Sequence, residues 1–153
     1  MYPTANHMMI PFDDAVTWIE EPLPDGPQEL IPGLLPKRGQ LMIAGETEVG
    51  KSLLALEICS SLLTGSPVWG HVPVAEPLKR VVYVLGEHDP DIVQGLWTKT
   101  GLKAPPESLA LIGPDVFKDH YVVSAGNPRH EAVHQLREWI RGAGLVIFDP
   151  LTS

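Results

Sequence analysis

Residues 45–52 read Gly-Glu-Thr-Glu-Val-Gly-Lys-Ser and satisfy the pattern G-x-x-x-x-G-K-[ST] at every fixed position. The apolar run at residues 40–44, bounded by Gly39 and Gly45, is typical of a buried strand. Residues 51–63 carry more apolar side chains than one helical stripe needs, which predicts a helix buried on most sides. A strand, a glycine-containing loop and a helix in direct succession restrict the chain to folds in which helices pack on a sheet.

The remaining segments alternate between strand and helix patterns. Residues 80–85 are apolar after Arg80 and rich in valine without polar alternation, as expected for a parallel strand covered on both faces. Asp89 and Pro90 predict the start of a helix that ends near Gly101. This alternation predicts an α/β fold with a mainly parallel sheet. The other predicted elements are strands at residues 109–112, 121–123 and 145–148, and a helix from Asn127 to Gly142 or Gly144.

The first 36 residues differ in composition from the rest of the chain. They contain six acidic residues, no lysine or arginine, and seven prolines, which disfavour long regular elements. We therefore divide the chain of 153 residues into two parts. Residues 1–36 are an acidic, proline-rich lead-in that lies on the domain surface, and residues 37–153 form one folded domain.

Composition also argues against several classes of protein. The chain has no run of about 18 uninterrupted apolar residues, which a membrane-spanning helix needs, and its N-terminus lacks the features of a secretory signal. The single cysteine, Cys59, has no partner for an intramolecular disulfide, so we expect a cytoplasmic protein in which this residue fills the core. The 11 basic residues are scattered within a net charge of -8, unlike the clustered basic surface of a nucleic-acid-binding domain.

The loop at residues 45–52, called the phosphate loop below, has the chemistry of an anion site. Its glycines let backbone N–H groups turn inward, and the N-terminus of the following helix adds partial positive charge. Lys51 would contact the β- and γ-phosphates of a nucleoside triphosphate, and Ser52 would ligate Mg²⁺. We expect Glu46 and Glu48 to point outward and to weaken affinity at most. The alternative is a glycine-rich turn with an exposed lysine. The predicted nucleotide-binding residues are Gly45, Glu46, Thr47, Glu48, Val49, Gly50, Lys51, Ser52 and Leu53.

Two acidic residues follow predicted strands. Asp149 comes after residues 145–148, on the edge where open α/β sheets bind ligands, and would contact Mg²⁺ or its bound water. The alternative for Asp149 is a turn before Pro150. Glu87 follows the strand at residues 80–85 and is our candidate general base. The alternatives for Glu87 are an acidic turn before the next helix or a rival base at His88 or Asp89.

Three motifs, in order along the chain, carry a resemblance to a known family. The phosphate loop is followed by Val-Val-Tyr-Val-Leu-Gly-Glu-His at residues 81–88 and by Leu-Val-Ile-Phe-Asp-Pro-Leu at residues 145–151. The chain resembles the RecA-like ATPases, and most closely the RepA-type hexameric helicases, which are often named AAA family ATPases. The resemblance implies an α/β RecA-like P-loop NTPase fold, a three-layer sandwich. It also implies catalytic roles for Lys51 and Glu87, a Walker A role for the phosphate loop, and magnesium ligation by Ser52 and Asp149.

The order of strands in that family indicates how much of the ATPase domain this chain contains. In RecA-like domains one strand of the sheet lies between the strand before the phosphate loop and the strand that ends at the equivalent of Asp149. That middle strand comes later in the chain than the aspartate. The DNA-contacting loops and an arginine finger also come later. The resemblance therefore implies that residues 37–153 are the N-terminal part of a RecA-like ATPase domain, from a longer protein or a truncated reading frame, with an incomplete sheet.

The resemblance implies ATP binding and Mg²⁺-dependent hydrolysis by the motor domain of a DNA helicase or DNA-processing ATPase in DNA replication. Its implied partners are the nucleotide, further copies of the chain in a homo-hexamer, and single-stranded DNA bound through regions absent from this chain, with no membrane partner. The alternatives are a nucleotide-binding regulatory protein of the same fold without DNA activity, and an inactive fragment. A P-loop kinase is a further alternative, for which the sequence offers no substrate lid.

Overall fold

Strands and helices alternate along the chain in a computed structural model, which describes residues 26, 28–46, 48–86, 88–114 and 136–149. Residues 136–140 are helical. The named elements are β1 (Glu29–Ile31), β2 (Leu35–Pro36), α1 (Lys51–Thr64), β3 (Val81–Leu85), α2 (Pro90–Thr100), β4 (Leu109–Ile112) and β5 (Leu145–Asp149).

Three parallel strands in the order β4-β3-β5 form the main sheet. β3 lies in the centre, and all of its residues are buried, as its uninterrupted apolar sequence requires. Val81 pairs with Leu109 on one side and with Leu145 on the other, and Leu85 pairs with Asp149. The predicted α/β fold with parallel strands is confirmed for the residues that the structure describes.

Helix α1 packs between the sheet and the β1-β2 hairpin. It begins after Gly50 and ends before Gly65, two glycines with φ of 92° and 75° that adopt the left-handed conformation at little cost. Leu56 contacts the core on the side of β3, and Leu62 contacts the core on the side of the hairpin. The prediction of a helix buried on most sides is therefore confirmed. The buried residues of α1 are Ala55, Leu56, Ile58, Cys59, Ser60, Ser61, Leu62 and Leu63.

The β1-β2 hairpin belongs to the core, although we expected residues 1–36 to lie on the surface. Leu30, Ile31 and Leu35 are buried and pack against α1. Prolines do not prevent this, because the strands are very short and Pro32 lies in the turn that joins them. The expectation of a surface position is wrong for these apolar residues, whereas the domain division at residue 37 stays a prediction.

The predicted strand at residues 40–44 is not formed. These residues have no regular structure, and Met42 is 89% exposed. Both edges of β3 are occupied by β4 and β5, and the described residues offer the 40–44 segment no neighbouring strand with which to pair. An apolar run becomes a strand only where a partner accepts its backbone hydrogen bonds. Ile43 still packs against the core.

The other predicted elements agree with the structure where it describes them. Helix α2 begins at Pro90 and ends at Thr100, directly before Gly101. The helical residues 136–140 match the later part of the helix predicted from Asn127, whose start lies outside the described residues. The strand predicted at residues 121–123 also lies outside them.

Cys59 is fully buried in the centre of the domain. Burial raises the pKa of its thiol to about 12, because the apolar surroundings disfavour the thiolate. The predicted core role is therefore confirmed. In the part of the chain that the structure describes, no helix has the length and apolarity to cross a membrane.

Candidate functional site

The phosphate loop leads directly into the N-terminus of α1. Gly50 occupies the N-cap position, where it makes no side-chain hydrogen bond to the helix, and the first turn contains no acidic residue. The backbone N–H groups of that turn therefore lack an internal acceptor, and the partial positive charge of the helix end is not neutralised by its own side chains. This is the local arrangement that binds phosphate groups at helix N-termini.

Lys51 folds back over the phosphate loop from the first position of α1. Its ammonium group donates hydrogen bonds to the backbone carbonyl oxygens of Gly45, at 2.9 Å, and Glu46, at 2.5 Å. The positive charge is thereby held inside the curve of the loop rather than in bulk solvent. A phosphate group that enters the loop would contact this ammonium. The ammonium would then exchange its hydrogen bonds to carbonyl oxygens for stronger ones to anionic phosphate oxygens.

The free positions of the phosphate loop that the structure describes face solvent, as we predicted for its two glutamates. Glu46, Glu48 and Val49 are exposed, and Thr47 lies outside the described residues. Glu48 has a φ of 63°, in the left-handed region that side chains other than glycine rarely adopt. The loop thus combines local backbone strain with a carboxylate close to an anion site.

Substitution of Glu48 by glycine should strengthen nucleotide binding. Glycine removes a repulsive charge beside the phosphates, so we expect ATP affinity to rise about fivefold, and it also removes a left-handed strain of about 1 kcal/mol, which should raise stability. The measurement is calorimetric titration with ATP. Glu107→Gly is a matched control, because Glu107 is exposed and has a φ of 59°, so it should gain stability without a change in affinity. Equal affinity of wild-type and Glu48→Gly proteins would contradict the prediction.

Asp149 is the last residue of β5 and faces the ring of Tyr83 in β3. The Tyr83 hydroxyl donates a hydrogen bond to Oδ2 of Asp149 at 2.9 Å. Burial raises the pKa of the Tyr83 phenol well above its ordinary value, and the Asp149 charge and hydrogen bond raise it further. A hydrogen bond from the Ser52 side chain acts on this pKa in the opposite direction. Asp149, one of the two predicted magnesium ligands, is therefore in direct contact with the phenol oxygen.

A cavity of about 400 Å³ joins these segments. Lys51, Tyr83 and Asp149 supply its ionisable groups, and its other lining residues are mostly apolar. The structure thus brings together predicted site residues that are separated by almost 100 positions in the sequence. Leu53, predicted to bind nucleotide, is 38% exposed and does not line this cavity, so its role stays a prediction.

The candidate general base Glu87 lies outside the described residues. Its rivals His88 and Asp89 are exposed, and Asp89 occupies the N-cap position of α2 without a side-chain hydrogen bond to the helix. The choice among the three residues stays a prediction.

Tyr83 is the site residue that sequence reasoning missed. It sits in an otherwise aliphatic strand, where its ring reads simply as part of an apolar run. The available signal was the hydroxyl group, because a buried phenol normally requires a hydrogen-bond partner. Ser52 and Asp149, the two predicted oxygen ligands, were the candidate hydrogen-bond partners of the Tyr83 hydroxyl.

The donor atoms at the site fit Mg²⁺. A serine hydroxyl and an aspartate carboxylate are hard oxygen ligands, and Mg²⁺ in nucleotide sites typically takes one or two such groups together with phosphate oxygens and water. Among the described residues, no group of three or more His, Cys, Asp or Glu side chains could hold a metal ion by itself. Ser52 and Asp149 would therefore hold the ion only together with a bound nucleotide.

A phosphate loop at a helix N-terminus, with a lysine inside it and an aspartate at a neighbouring strand end, defines the class of P-loop nucleotide-binding domains. A family model described as "AAA domain" matches residues 7–153, and the chain belongs to this family of P-loop ATPases. The ATPase class expected from the motifs is therefore confirmed. No curated protein and no solved structure matches the chain.

Proposed function

We propose that this chain binds ATP together with Mg²⁺ and hydrolyses it at the phosphate loop. The observation that carries the proposal is the position of the Lys51 ammonium, which donates to the carbonyl oxygens of Gly45 and Glu46 at the uncapped N-terminus of α1. The N–H groups of the helix end and the Lys51 ammonium would bind the phosphates. Membership in a family of P-loop ATPases supports ATP as the nucleotide.

The chemical step requires a divalent ion and a base. The side chains of Ser52 and Asp149 would hold Mg²⁺ together with the nucleotide, and the ion would supply positive charge to stabilise the transferring phosphoryl group. Lys51 would orient the β- and γ-phosphates. We propose Glu87 as the group that accepts a proton from the attacking water, with His88 and Asp89 as rivals.

Glu87→Gln tests the assignment of the base. The variant should bind ATP with wild-type affinity and lose activity by about a hundredfold or more, because the amide cannot accept the proton. Calorimetry measures binding, and release of inorganic phosphate in the presence of Mg²⁺ measures turnover. Glu107→Gln, at an exposed residue outside the cavity lining, is the matched control and should keep full turnover. Full turnover by Glu87→Gln would refute the assignment and direct the same test to His88 and Asp89.

We further propose that the domain is RecA-like and that an additional strand fits between β5 and residues 40–44. In the described part of the chain, β5 pairs on one edge only. Phe148 is 62% exposed and Met42 is 89% exposed, and the cavity lies between their two segments. A strand inserted here would satisfy the backbone groups of β5 and cover apolar side chains.

The finer proposal is that this ATPase is the motor domain of a cytoplasmic RepA-type helicase that acts as a hexamer on single-stranded DNA. The sequence resemblance supports it. The net charge of -8 and the absence of a basic cluster in the sequence favour a second candidate, a nucleotide-binding regulatory protein without DNA activity.

One experiment separates these candidates and also tests the additional strand. The polypeptide is expressed with the reading frame encoded downstream, if one continues, and compared with residues 1–153. A helicase motor should hydrolyse ATP faster when single-stranded DNA is added, and a completed sheet should unfold at a higher urea concentration. Hydrolysis that does not respond to DNA supports the regulatory protein, and unchanged stability contradicts the additional strand.

A further inference from the structure

Tyr83 lies on the face of β3 that packs against α1. The alternate residues Val81, Tyr83 and Leu85 share one apolar cluster with α1. The aromatic ring is fully buried in this cluster, whereas its hydroxyl reaches the polar end of the site. Most of the side chain therefore belongs to the core, and only the oxygen atom meets the residues predicted to hold the metal ion.

The strand register explains why this oxygen meets Asp149. Tyr83 pairs with Ile147, and Leu85 pairs with Asp149. Asp149 consequently lies on the same face as Tyr83, one pleat nearer the carboxyl end of the sheet. Diagonal neighbours of this kind are within reach of an aromatic side chain, and the observed distance from the hydroxyl to Oδ2 is 2.9 Å.

This hydrogen bond has a consequence for metal binding. A phenol that donates to Oδ2 restricts the rotation of the Asp149 carboxylate and leaves Oδ1 available to another partner. A carboxylate held in this way, with one oxygen bonded and the other available, is suited to ligate Mg²⁺.

We propose that Tyr83 is a positioning residue, which orients the Asp149 carboxylate for a Mg²⁺ ion that binds together with nucleotide. The inference rests on the proposed function, because it concerns the same site. It assigns to a core tyrosine a role that the surrounding aliphatic sequence does not indicate. Partners of metal ligands typically change metal affinity by about 10- to 100-fold when they are removed.

The test measures ATP affinity by calorimetry, once in excess Mg²⁺ and once in EDTA. The ratio of the two affinities is the Mg²⁺-dependent gain. Tyr83→Phe keeps the ring and removes the hydroxyl. We expect it to bind ATP in EDTA as the wild-type protein does and to reduce the Mg²⁺-dependent gain by about tenfold. Asp149→Asn should reduce the gain as well, and the double variant should lose no more than Asp149→Asn alone, because the tyrosine acts through the aspartate.

Ser60→Ala is the matched control for a simple loss of stability. Ser60 lies in α1, is buried, and exchanges hydrogen bonds of 2.8 and 3.0 Å with the backbone of Lys103. Removal of the Ser60 hydroxyl should lower the urea midpoint of unfolding without changing the Mg²⁺-dependent gain in ATP affinity. If the Tyr83→Phe variant and the wild-type protein show the same Mg²⁺-dependent gain in ATP affinity, the role of Tyr83 is overturned and the proposed function stands. Absence of any Mg²⁺-dependent gain in the wild-type protein would overturn the proposed function as well.

Discussion

Replacement of Lys51 by alanine should weaken ATP binding by about a hundredfold, equivalent to about 2.7 kcal/mol. Among the described residues that line the cavity, Lys51 is the only cationic one. Its charge-assisted hydrogen bonds to the phosphates would disappear, and such bonds contribute about 1.5–3 kcal/mol each. The loop would also lose its internal contacts, because the ammonium group donates to the carbonyl oxygens of Gly45 and Glu46.

Calorimetric titration with ATP measures this effect, and circular dichroism checks that the variant is folded. Lys99→Ala is the matched control, since Lys99 is exposed in the last turn of α2 and does not line the cavity. The control should bind ATP normally. If Lys51→Ala also binds normally while folded, the phosphate loop is only a glycine-rich turn, and the proposed function fails with it.

Replacement of Leu62 by alanine should destabilise the domain by about 2–5 kcal/mol, which is a large fraction of the stability of an ordinary domain. Leu62 is fully buried and packs with Leu30, Ile31 and Leu35 of the hairpin. Removing its methyl groups leaves a cavity between α1 and the hairpin. Because α1 presents Lys51 and Ser52 to the site, loss of this packing should also weaken ATP binding.

Urea denaturation followed by circular dichroism measures the change in the free energy of unfolding. Leu53→Ala is the matched control, because it makes the same substitution in the same helix at a side chain that is 38% exposed. We expect a loss of less than about 1 kcal/mol for the control, since less apolar surface is withdrawn from contact. Equal losses for the two variants would contradict the packing of α1 against the hairpin.

Several elements were predictable because their signals are local. Helix α1 follows from a dense apolar pattern between Gly50 and Gly65, and β3 follows from consecutive buried-strand residues bounded by polar ones. The phosphate loop is equally local, since its glycines, lysine and serine lie within eight positions of one another. Such features depend on backbone freedom, helix ends and short-range periodicity, which neighbouring residues determine.

Other elements were decided by contacts between distant residues. Residues 40–44 have the composition of a buried strand, yet they remain irregular because no described strand lies beside them. Leu30, Ile31 and Leu35 lie in a proline-rich segment, yet they are buried because α1 provides an apolar surface for them. Strand pairing and burial depend on which surfaces meet, and local patterns do not specify that choice.

By itself, the sequence determined the phosphate loop, its lysine and serine, and the class of P-loop ATPase. Only the tertiary structure decided that Asp149 would meet Tyr83, and that both would share a cavity with Lys51. The physical reason is the register of parallel strands. The pairing of Leu85 with Asp149 brings a carboxylate onto the face of a buried phenol, and no spacing within either strand predicts that pairing.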